Sequence, residues 1–514
     1  MPGGGCCMLA IRASDPWGRE AGGTGPTAQT TAHAIITRRE PLVLGKVFKA
    51  YDIRGTYPDL LNEQMAWQIG YGAGVYLLRD AADAGESTPM MRNVVVGRDM
   101  RSHSPELRDA LCRGLADAGA DVIDIGLVDT PAVYFAINHL DCAGGVQVTA
   151  SHNPPNYNGF KISKRRAKPV GELSGLAEIR KEAATVDPRT RGSGSGRREE
   201  RDLWDPYRAH VRSFLDLSAL GSRTLKIVVD ASNAMAGTMV PKLFGKGGAD
   251  LDGVEIVELY FDNTKGEFVH EPNPLVEANL RDLQAEVVEE NADFGICFDG
   301  DADRLMVVDE RGRTVGCDHL TALLARWFLA RNPGSHIVYD LRSSKALEEE
   351  IRTAGGSPVR SRVGHVFMKA NLAETGAVFG GELSGHFYFR DNFNADSGAI
   401  ALAVLLTAVA ETDAPMSELV GPIARYPQSG ERNFEVEDKD AALAEVESVF
   451  RDRGSIDELD GITVDCFDRE GWWANIRKSN TEPLLRLNLE ARDDATLARA
   501  LDEITPMLGR PAEH

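Results

Sequence analysis

The sequence predicts an α/β protein with three successive mixed α/β/α domains of common topology and a C-terminal α+β domain, arranged around a central cleft. The length of 514 residues suggests three or four domains. A pattern of strands and helices recurs three times, and it is absent after about residue 426. These observations together predict the architecture.

Each repeated unit begins with a short apolar strand that ends at or beside an aspartate. These first strands cover 94–99, 227–230 and 337–340. After a helix-like stretch, glycine-marked second strands cover 120–126, 253–260 and 356–364. Third strands cover 145–151, 294–301 and 376–384. Such alternation is typical of parallel α/β units, whose ligands bind at the carboxyl ends of strands. Three equivalent strand ends therefore predict one shared cleft.

The last part of the chain has a different pattern. Segments 432–437, 461–467 and 484–490 alternate like strands, while 439–452 and 493–508 look helical. This combination predicts a small α+β domain. The predicted domains are 46–205, 206–313, 314–425 and 426–514.

Two segments have low sequence complexity. Residues 1–45 are rich in Gly, Ala and Thr, and we expect a disordered extension there. Residues 187–202 are rich in Gly, Ser and Arg, and we expect a flexible, solvated insertion in the first domain.

Composition excludes several classes of function. The net charge of −21 argues against nucleic-acid binding, which needs a basic surface. No apolar run approaches the about 20 residues of a membrane span. Seven cysteines at scattered spacing indicate reduced thiols and a cytoplasmic location. An anionic small molecule stays possible if basic residues gather locally.

The segment TASHNPPNYNGFKIS (149–163) follows a third strand. Its Asn, Pro and Gly residues predict a loop that exposes the hydroxyl of Ser151 and offers backbone N–H groups to a phosphate. Lys161 could stabilise a transferring charge or move a proton. A turn with a capping serine is the structural alternative.

The segment DGDADR (299–304) places Asp299, Asp301 and Asp303 in alternation after another third strand. This spacing can surround a hard cation such as Mg²⁺ with oxygen atoms. Arg304 would attract an anionic ligand. An acidic turn that binds no ion is the structural alternative.

The segment GGELSGH (380–386) follows the remaining third strand and alternates Glu382, Ser384 and His386. In an extended segment these side chains would point to one side, where they suit a polyol such as a sugar. The two glycines would let the backbone approach a ligand. A structural turn is again the alternative.

Further clusters contain arginine, hydroxyl and histidine side chains. RKSNTEPLLRL (477–487) could bind a phosphate through the paired N–H groups of its arginine guanidinium groups, although a solvated hairpin is the alternative. FKAYDIRG (48–55) and RVGH (362–365) complete the set. Their candidate binding or acid–base residues are Tyr51, Arg54, Gly364, His365, Arg477, Ser479, Asn480, Thr481 and Arg486.

Over about 48–490, the chain resembles the alpha-D-phosphohexomutase family, most closely its bacterial phosphomannomutase/phosphoglucomutase members. TASHNP, DGDADR, GELSGH and RKSNTEP occur in the family's order and near its usual spacing. The resemblance implies four domains around a cleft and a phosphorylated Ser151. It also implies a hexose 1,6-bisphosphate intermediate, which turns over in the cleft and acts as an activator.

The resemblance assigns roles to the clusters. Asp299, Asp301 and Asp303 would hold Mg²⁺ together with the Ser151 phosphate. Glu382, Ser384 and His386 would recognise the sugar, and 477–481 would hold the phosphate that is not transferred. Arg54, Lys161 and His365 would be acid–base groups or charge stabilisers. Arg342 stands where phosphomannomutases often have lysine, among the phosphate contacts.

The segment GGELSGH (380–386), which we call the sugar loop, favours mannose phosphate as substrate, with glucose phosphate also possible. With Leu383 between Glu382 and Ser384, the loop resembles the GEMSGH loop of phosphomannomutase/phosphoglucomutase enzymes. Phosphoglucosamine mutases usually have glutamine at the position of Leu383. A phosphoglucosamine mutase is the alternative within the family. A Mg²⁺-dependent phosphatase using DGDADR and a non-catalytic sugar-phosphate-binding protein are the competing hypotheses outside it. The expected partner is the phosphosugar alone, with no nucleic acid or membrane, on a monomer or weak dimer.

Overall fold

The computed structural model describes residues 40–85, 89–245, 251–479 and 484–512, which form four sheets. The first unit contains strands β1 (Ile53–Thr56), β2 (Asn93–Arg98), β3 (Asp121–Leu127), β4 (Gly144–Val148), β5 (Tyr157–Lys164), β6 (Lys168–Pro169) and β7 (Arg198–Glu200). Its helices are α1 (Glu40–Val47), α2 (Glu63–Asp83), α3 (Ser104–Asp117), α4 (Thr130–His139) and α5 (Leu176–Thr185).

The second unit contains strands β8 (Leu225–Asp230), β9 (Val254–Leu259), β10 (Phe294–Phe298), β11 (Leu305–Asp309) and β12 (Thr314–Val315). Helix α6 (Trp204–Arg212) leads into it, and its other helices are α7 (Ala236–Leu243) and α8 (Arg281–Glu289).

The third unit contains strands β13 (His336–Asp340), β14 (Ser357–Ser361), β15 (Phe379–Gly381), β16 (Phe387–Phe389) and β17 (Ala395–Asp396). Its helices are α9 (Cys317–Arg331), α10 (Lys345–Thr353), α11 (His365–Thr375), α12 (Gly398–Ala410) and α13 (Met416–Val420). Helix α12 is apolar on all sides because it is buried almost completely between layers. The side chain of Ser397 caps it by accepting a hydrogen bond from the Ile400 N–H.

The first three sheets share one strand arrangement. The first strand of each repeat lies between the second and third and is parallel to both, giving the orders β3-β2-β4-β5, β9-β8-β10-β11 and β14-β13-β15-β16. The fourth strand is antiparallel to the third in every case. The repeat predicted from the sequence is therefore present. Each predicted polar cluster with Ser151, Asp299 or Glu382 follows a third strand and precedes the fourth.

The fourth unit is built on an antiparallel sheet with a separate apolar core. Its strands are β18 (Arg432–Glu435), β19 (Ser455–Asp457), β20 (Ile462–Asp465), β21 (Trp472–Lys478), β22 (Leu484–Ala491) and β23 (Arg510–Pro511). Its helices are α14 (Lys439–Phe450), α15 (Phe467–Glu470) and α16 (Asp494–Ile504). Strand β21 was not predicted, because it is buried on both faces and lacks the alternation of a half-buried strand.

Two predictions for the low-complexity segments need correction. Residues 40–45, predicted as part of a disordered extension, belong to α1, while residues 1–39 lie outside the described part. The insertion 187–202, predicted as a flexible loop, adds β7 to the first sheet in parallel with β3. Gly194 and Gly196 lie so close to the end of α3 that a Cβ on either would meet backbone atoms at 2.0–2.3 Å. These glycines permit close packing.

A continuous apolar core contains residues of the first three units. This packing fixes the strand ends that carry the polar loops. The cysteines of the described residues are free and buried, as expected for reduced thiols. Within the same residues, no helix is both long and apolar enough to cross a membrane.

Candidate active site

Ser151 lies at the carboxyl end of β4 and is fully buried, so the prediction that its loop exposes the hydroxyl was wrong. Its φ angle of 50° is in the left-handed region, which is uncommon for residues other than glycine. The Ser151 N–H donates to Thr149 Oγ1 over 2.9 Å. The Ser151 hydroxyl donates to Asp299 Oδ2 over 3.0 Å. The loop therefore directs the hydroxyl toward the segment 299–304, which we call the metal loop.

Arg101 binds the backbone of the Ser151 loop, a role that was not predicted from the sequence. Its buried guanidinium donates to the carbonyl oxygens of Ser151, Asn153 and Pro154 over 2.9, 2.6 and 2.6 Å. Asp99 anchors the same guanidinium over 3.1 Å. Because the segment DMR is typical of an ordinary turn, it gives no sign of these distant partners. Arg101 fixes the backbone that presents Ser151.

Arg54 approaches the same loop from β1. It donates to Asn153 Oδ1 over 2.7 Å and to Asp52 Oδ2 over 2.7 Å. Although burial opposes the charged form, Asp52 raises the pKa of Arg54 above its usual value. Arg54 therefore stays cationic, which suits charge stabilisation better than proton transfer.

The three aspartates of 299–304 follow β10 and are buried together. One carboxylate oxygen from each lies within 4.8 Å of the others. Asp301 Oδ1 is buried and accepts no hydrogen bond in the described part of the chain. The three carboxylates supply hard oxygen ligands close together, and one of their buried oxygens accepts no hydrogen bond from the described residues. This arrangement fits a divalent cation such as Mg²⁺.

Gly300 brings the metal loop against the Ser151 loop. A Cβ at Gly300 would lie 2.1 Å from the carbonyl oxygen of Ser151. Thr130 of α4 adds a second connection, since its hydroxyl donates to Asp301 Oδ2 and its N–H to the Asp301 carbonyl. The first and second units thus build this site jointly.

Lys161 of β5 compensates part of the negative charge. Its ammonium lies 2.6 Å from Asp301 Oδ2 and 2.5 Å from Asp303 Oδ2. Burial opposes the charge, yet Asp301 and Asp303 raise the pKa of Lys161 above its usual value. Although burial also opposes the charge of Asp303, Lys161 and His386 hold its pKa well below the usual range. Burial and the neighbouring aspartates raise the pKa of Asp299 well above its usual value.

The sugar loop after β15 is a turn, so the prediction of an extended segment was wrong. The Gly385 N–H donates to the Glu382 carbonyl over 3.0 Å, closing the turn. The same side chains nevertheless gather. His386 Nδ1 lies 2.9 Å from Ser384 Oγ and 3.5 Å from Glu382 Oε2. His386 Nε2 lies 3.3 Å from Asp303 Oδ1, which joins the sugar loop to the metal loop.

Glu382 is held by two donors within the third unit. Its carboxylate accepts hydrogen bonds from the Gly364 N–H over 2.8 Å and from the Tyr388 hydroxyl over 2.6 Å. Gly364 precedes His365, the first residue of α11. The segments RVGH and GGELSGH, separate in the sequence, therefore lie together.

His365 lies beside Tyr51 of the first unit, with ring centroids 5.7 Å apart. Burial, with Lys369 next in importance, lowers the pKa of His365 to about 3. The imidazole is therefore neutral at physiological pH. Lys369, also missed from the sequence, is buried and lies 2.7 Å from Asp396 Oδ1.

Arg342, Arg477 and Arg486 converge in the structure, and we call them the arginine clamp. All three donate to the carboxylate of Glu431, over 3.2, 3.2 and 2.6 Å respectively. No motif in the sequence singles out Glu431. Arg304 lies elsewhere, 3.7 Å from Asp299 Oδ2.

The remaining residues of the predicted phosphate loop lie beside Arg477. The Ser479 N–H donates to the Leu484 carbonyl over 2.9 Å. Asn480 and Thr481 lie outside the described residues. A cleft of about 700 Å³ opens at the clamp and is bordered by Ser384, Arg342, Glu431, Arg486 and Trp473. This volume suits a phosphorylated hexose.

Comparison with known proteins decides the family. Four profiles match in series, described as phosphoglucomutase/phosphomannomutase alpha/beta/alpha domains I, II and III and C-terminal domain, at 45–189, 205–312, 317–426 and 431–507. A protein of Xanthomonas campestris pv. campestris, named phosphohexose mutases, is 42% identical over 88% of this chain and 96% of its own. The chain belongs to the phosphoglucomutase/phosphomannomutase family. Membership makes it an isomerase that acts on a phosphorylated hexose.

Other relatives agree with this assignment. The phosphomannomutase of Escherichia coli K12 is 38% identical over 88% of this chain and 96% of its own. A crystal structure of a family protein from Burkholderia thailandensis is 34% identical, with a TM-score of 0.78, covering 91% of this chain and 99% of its own. The architecture of three α/β/α domains and a C-terminal domain is therefore that of the family, as the sequence predicted.

Proposed function

We propose that the protein interconverts hexose 6-phosphate and hexose 1-phosphate through phosphorylated Ser151 and a hexose 1,6-bisphosphate intermediate. The observation that carries the proposal is the 3.0 Å hydrogen bond from the Ser151 hydroxyl to Asp299, inside a group of three buried aspartates. A hydroxyl fixed beside this group is placed for phosphoryl transfer, which depends chiefly on positioning and charge stabilisation.

Mannose phosphate is the proposed preferred substrate, with glucose phosphate second. Leu383 in the sugar loop supports this choice, and so do relatives named phosphomannomutase in Escherichia coli and phosphomannomutase/phosphoglucomutase in Pseudomonas aeruginosa. The proposed working unit is a monomer or a weak dimer.

Asp299, Asp301 and Asp303 would hold Mg²⁺ together with the phosphate on Ser151. When bound, the ion supplies positive charge to the transferring phosphoryl group. The unsatisfied oxygen of Asp301 and the hard-donor set support this assignment. Arg54, which contacts Asn153, and Lys161, which contacts Asp301 and Asp303, would add charge stabilisation from fixed positions.

The proposed reaction has two transfers. In the first, the bond between phosphorus and Ser151 Oγ breaks as a bond from phosphorus to a free sugar oxygen forms, and the proton of that sugar hydroxyl is balanced by protonation of Ser151 Oγ. The bisphosphorylated sugar then turns, and its other phosphoryl group passes back to Ser151. Glu382, Ser384 and His386 would orient the sugar, while the arginine clamp would hold the phosphate that is not transferred.

The test measures isomerisation of mannose 1-phosphate and glucose 1-phosphate with Mg²⁺ and a trace of hexose 1,6-bisphosphate. We expect turnover with the wild type and a loss of at least about 10³-fold in Ser151→Ala, because the covalent route is removed. Ser163→Ala is the matched control. Ser163 is also buried, but it pairs with Gly145 at the opposite end of β4.

The outcomes distinguish the candidate functions. Net release of inorganic phosphate would indicate a phosphatase. Turnover of glucosamine phosphate in preference to both hexoses would indicate a phosphoglucosamine mutase. Absence of turnover on all three sugars would contradict the proposed function and favour a binding protein.

A further inference from the structure

Glu431 stands immediately before β18, at the rim of the cleft, and the proposed reaction gives it no role. Its carboxylate contacts three arginines from two units. Arg342 follows β13 in the third unit, whereas Arg477 and Arg486 lie on β21 and β22 in the fourth. Glu431 is therefore the shared partner of basic groups that different parts of the fold supply.

The contact pattern leaves donors available on Arg342 and Arg477. Arg342 donates through Nε and Nη2 to Asp340, over 3.1 and 2.9 Å, and only Nη1 reaches Glu431. Arg477 also uses a single nitrogen, Nη2, toward Glu431. Its Nε is buried and makes no hydrogen bond in the described part of the chain. Since a guanidinium has five N–H groups, further donors remain for a phosphate.

An anion at this point lowers the electrostatic cost of gathering the three arginines. Three guanidinium groups within reach of one carboxylate repel one another, and burial adds to that cost. Burial together with Arg342 lowers the pKa of Arg477, while Glu431 opposes the shift. Although burial of Glu431 opposes its charge, Arg342, Arg477 and Arg486 lower its pKa to about 2. The carboxylate is thus ionised at any physiological pH and offsets part of the repulsion.

We infer that Glu431 is a positioning residue, which gathers Arg342, Arg477 and Arg486 into one phosphate-binding clamp and joins the third unit to the fourth. The inference rests on the proposed function for the identity of the substrate. It does not depend on turnover, because an anion-binding clamp also binds inorganic phosphate. Glu431 acts through the arginines, so its loss should affect binding of the substrate more than the chemical step.

The test compares Glu431→Gln with Glu435→Gln. Glu435 lies on the adjoining strand β18 and pairs with Arg510 at an exposed position away from the cleft. We expect Glu431→Gln to weaken binding of inorganic phosphate, measured by calorimetry, about tenfold, which is typical of losing hydrogen bonds to charged groups. KM for mannose 1-phosphate should rise similarly with little change in kcat, whereas Glu435→Gln should match the wild type.

A double-mutant cycle tests whether Glu431 acts through the clamp. In an Arg486→Gln background, Glu431→Gln should weaken phosphate binding by much less than tenfold, because one of its partners is gone. Equal losses in both backgrounds would overturn the inference. Phosphate binding in Glu431→Gln that equals or exceeds that of the wild type would also overturn the inference, since the carboxylate would then only compete with phosphate for the arginines.

Glu431→Asp covers the case in which the glutamine variant fails to fold. It keeps the charge but shortens the side chain by one methylene, so it cannot reach all three arginines at their present positions. Binding of inorganic phosphate should be several-fold weaker than in the wild type, and unchanged binding would contradict the inference. If wild type binds phosphate at the clamp but turns over no hexose phosphate, the proposed function fails while this inference stands.

Discussion

At the scale of single residues, the site depends on buried charges whose partners are distant in sequence. Arg101 lies about 50 positions from the carbonyl groups that it binds, and Lys369 lies 27 positions from its partner Asp396. Ser151 and the three aspartates could be predicted because their own segments contain the chemistry. Arg101, Lys369 and Glu431 could not, because only tertiary packing brings their partners to them.

His365 gives a prediction for the pH dependence of stability. Its pKa is lowered to about 3 by burial, whereas an unfolded histidine has a pKa of about 6.5. Between these values the unfolded chain binds more protons, so stability is lost as pH falls below about 6.5. We expect wild type to lose about 2 kcal/mol more than His365→Asn between pH 7 and pH 5.

Chemical denaturation at the two pH values measures this difference. His336→Asn serves as the control, because His336 lies at the start of β13, away from the cleft. An identical loss of stability in wild type and His365→Asn would contradict a neutral imidazole in the folded protein.

At the scale of elements, the repeated strand arrangement explains why the loops could be located from the sequence. A strand of apolar residues followed by Asn, Asp or Gly is visible in one dimension, and the loop after each third strand lies at an equivalent place. Strand β21 and the insertion 187–202 were misinterpreted for opposite reasons. Strand β21 has no alternation of apolar and polar residues to detect. In the insertion, the glycines permit close packing and do not indicate flexibility.

Gly196 provides a test of that packing. A Cβ there would meet the carbonyl oxygen of Ala120 at 2.0 Å and Ala116 Cα at 2.8 Å. We expect Gly196→Ala to lower the free energy of unfolding by about 1–3 kcal/mol, as overpacking does in well-packed structures. Hydrogen exchange at Val122, whose N–H donates to the Arg197 carbonyl over 2.7 Å, should become faster.

Ser195→Ala is the control for this change, since Ser195 lies between the two packed glycines and is exposed. It should leave stability within about 0.5 kcal/mol of the wild type. An equally stable Gly196→Ala would show that the insertion does not pack against α3 in solution.

At the scale of the whole molecule, the fourth unit is the most separable part. Its apolar core is distinct from the one that joins the first three units, and its contacts with the third unit include several hydrogen bonds and ion pairs. These contacts include Lys345 with Asp465 over 2.5 Å and Arg342 with Glu431 over 3.2 Å. We therefore expect calorimetry of the full chain to show a separate unfolding transition for the fourth unit.

Lys345→Met should lower the temperature of that transition by about 3 °C, because a partly exposed ion pair contributes under about 1 kcal/mol to a small domain. Lys226→Met is matched to it. That variant removes a pair of equal length, from Lys226 to Glu290, within the second unit. It should leave the transition of the fourth unit unchanged. A single transition that responds equally to both variants would argue against separable unfolding.

The contact between Gly300 and the Ser151 carbonyl also bears on how related genes are interpreted. Every single-base change of a glycine codon that alters the amino acid adds at least a Cβ, and no Cβ fits within 2.1 Å of that oxygen. Such a change would push the loop of Ser151 away from the loop of the three aspartates, although every reactive side chain would still be encoded. A homologous gene with an intact serine and three intact aspartates, but another residue at this position, should therefore be regarded as encoding a protein that has lost this reaction.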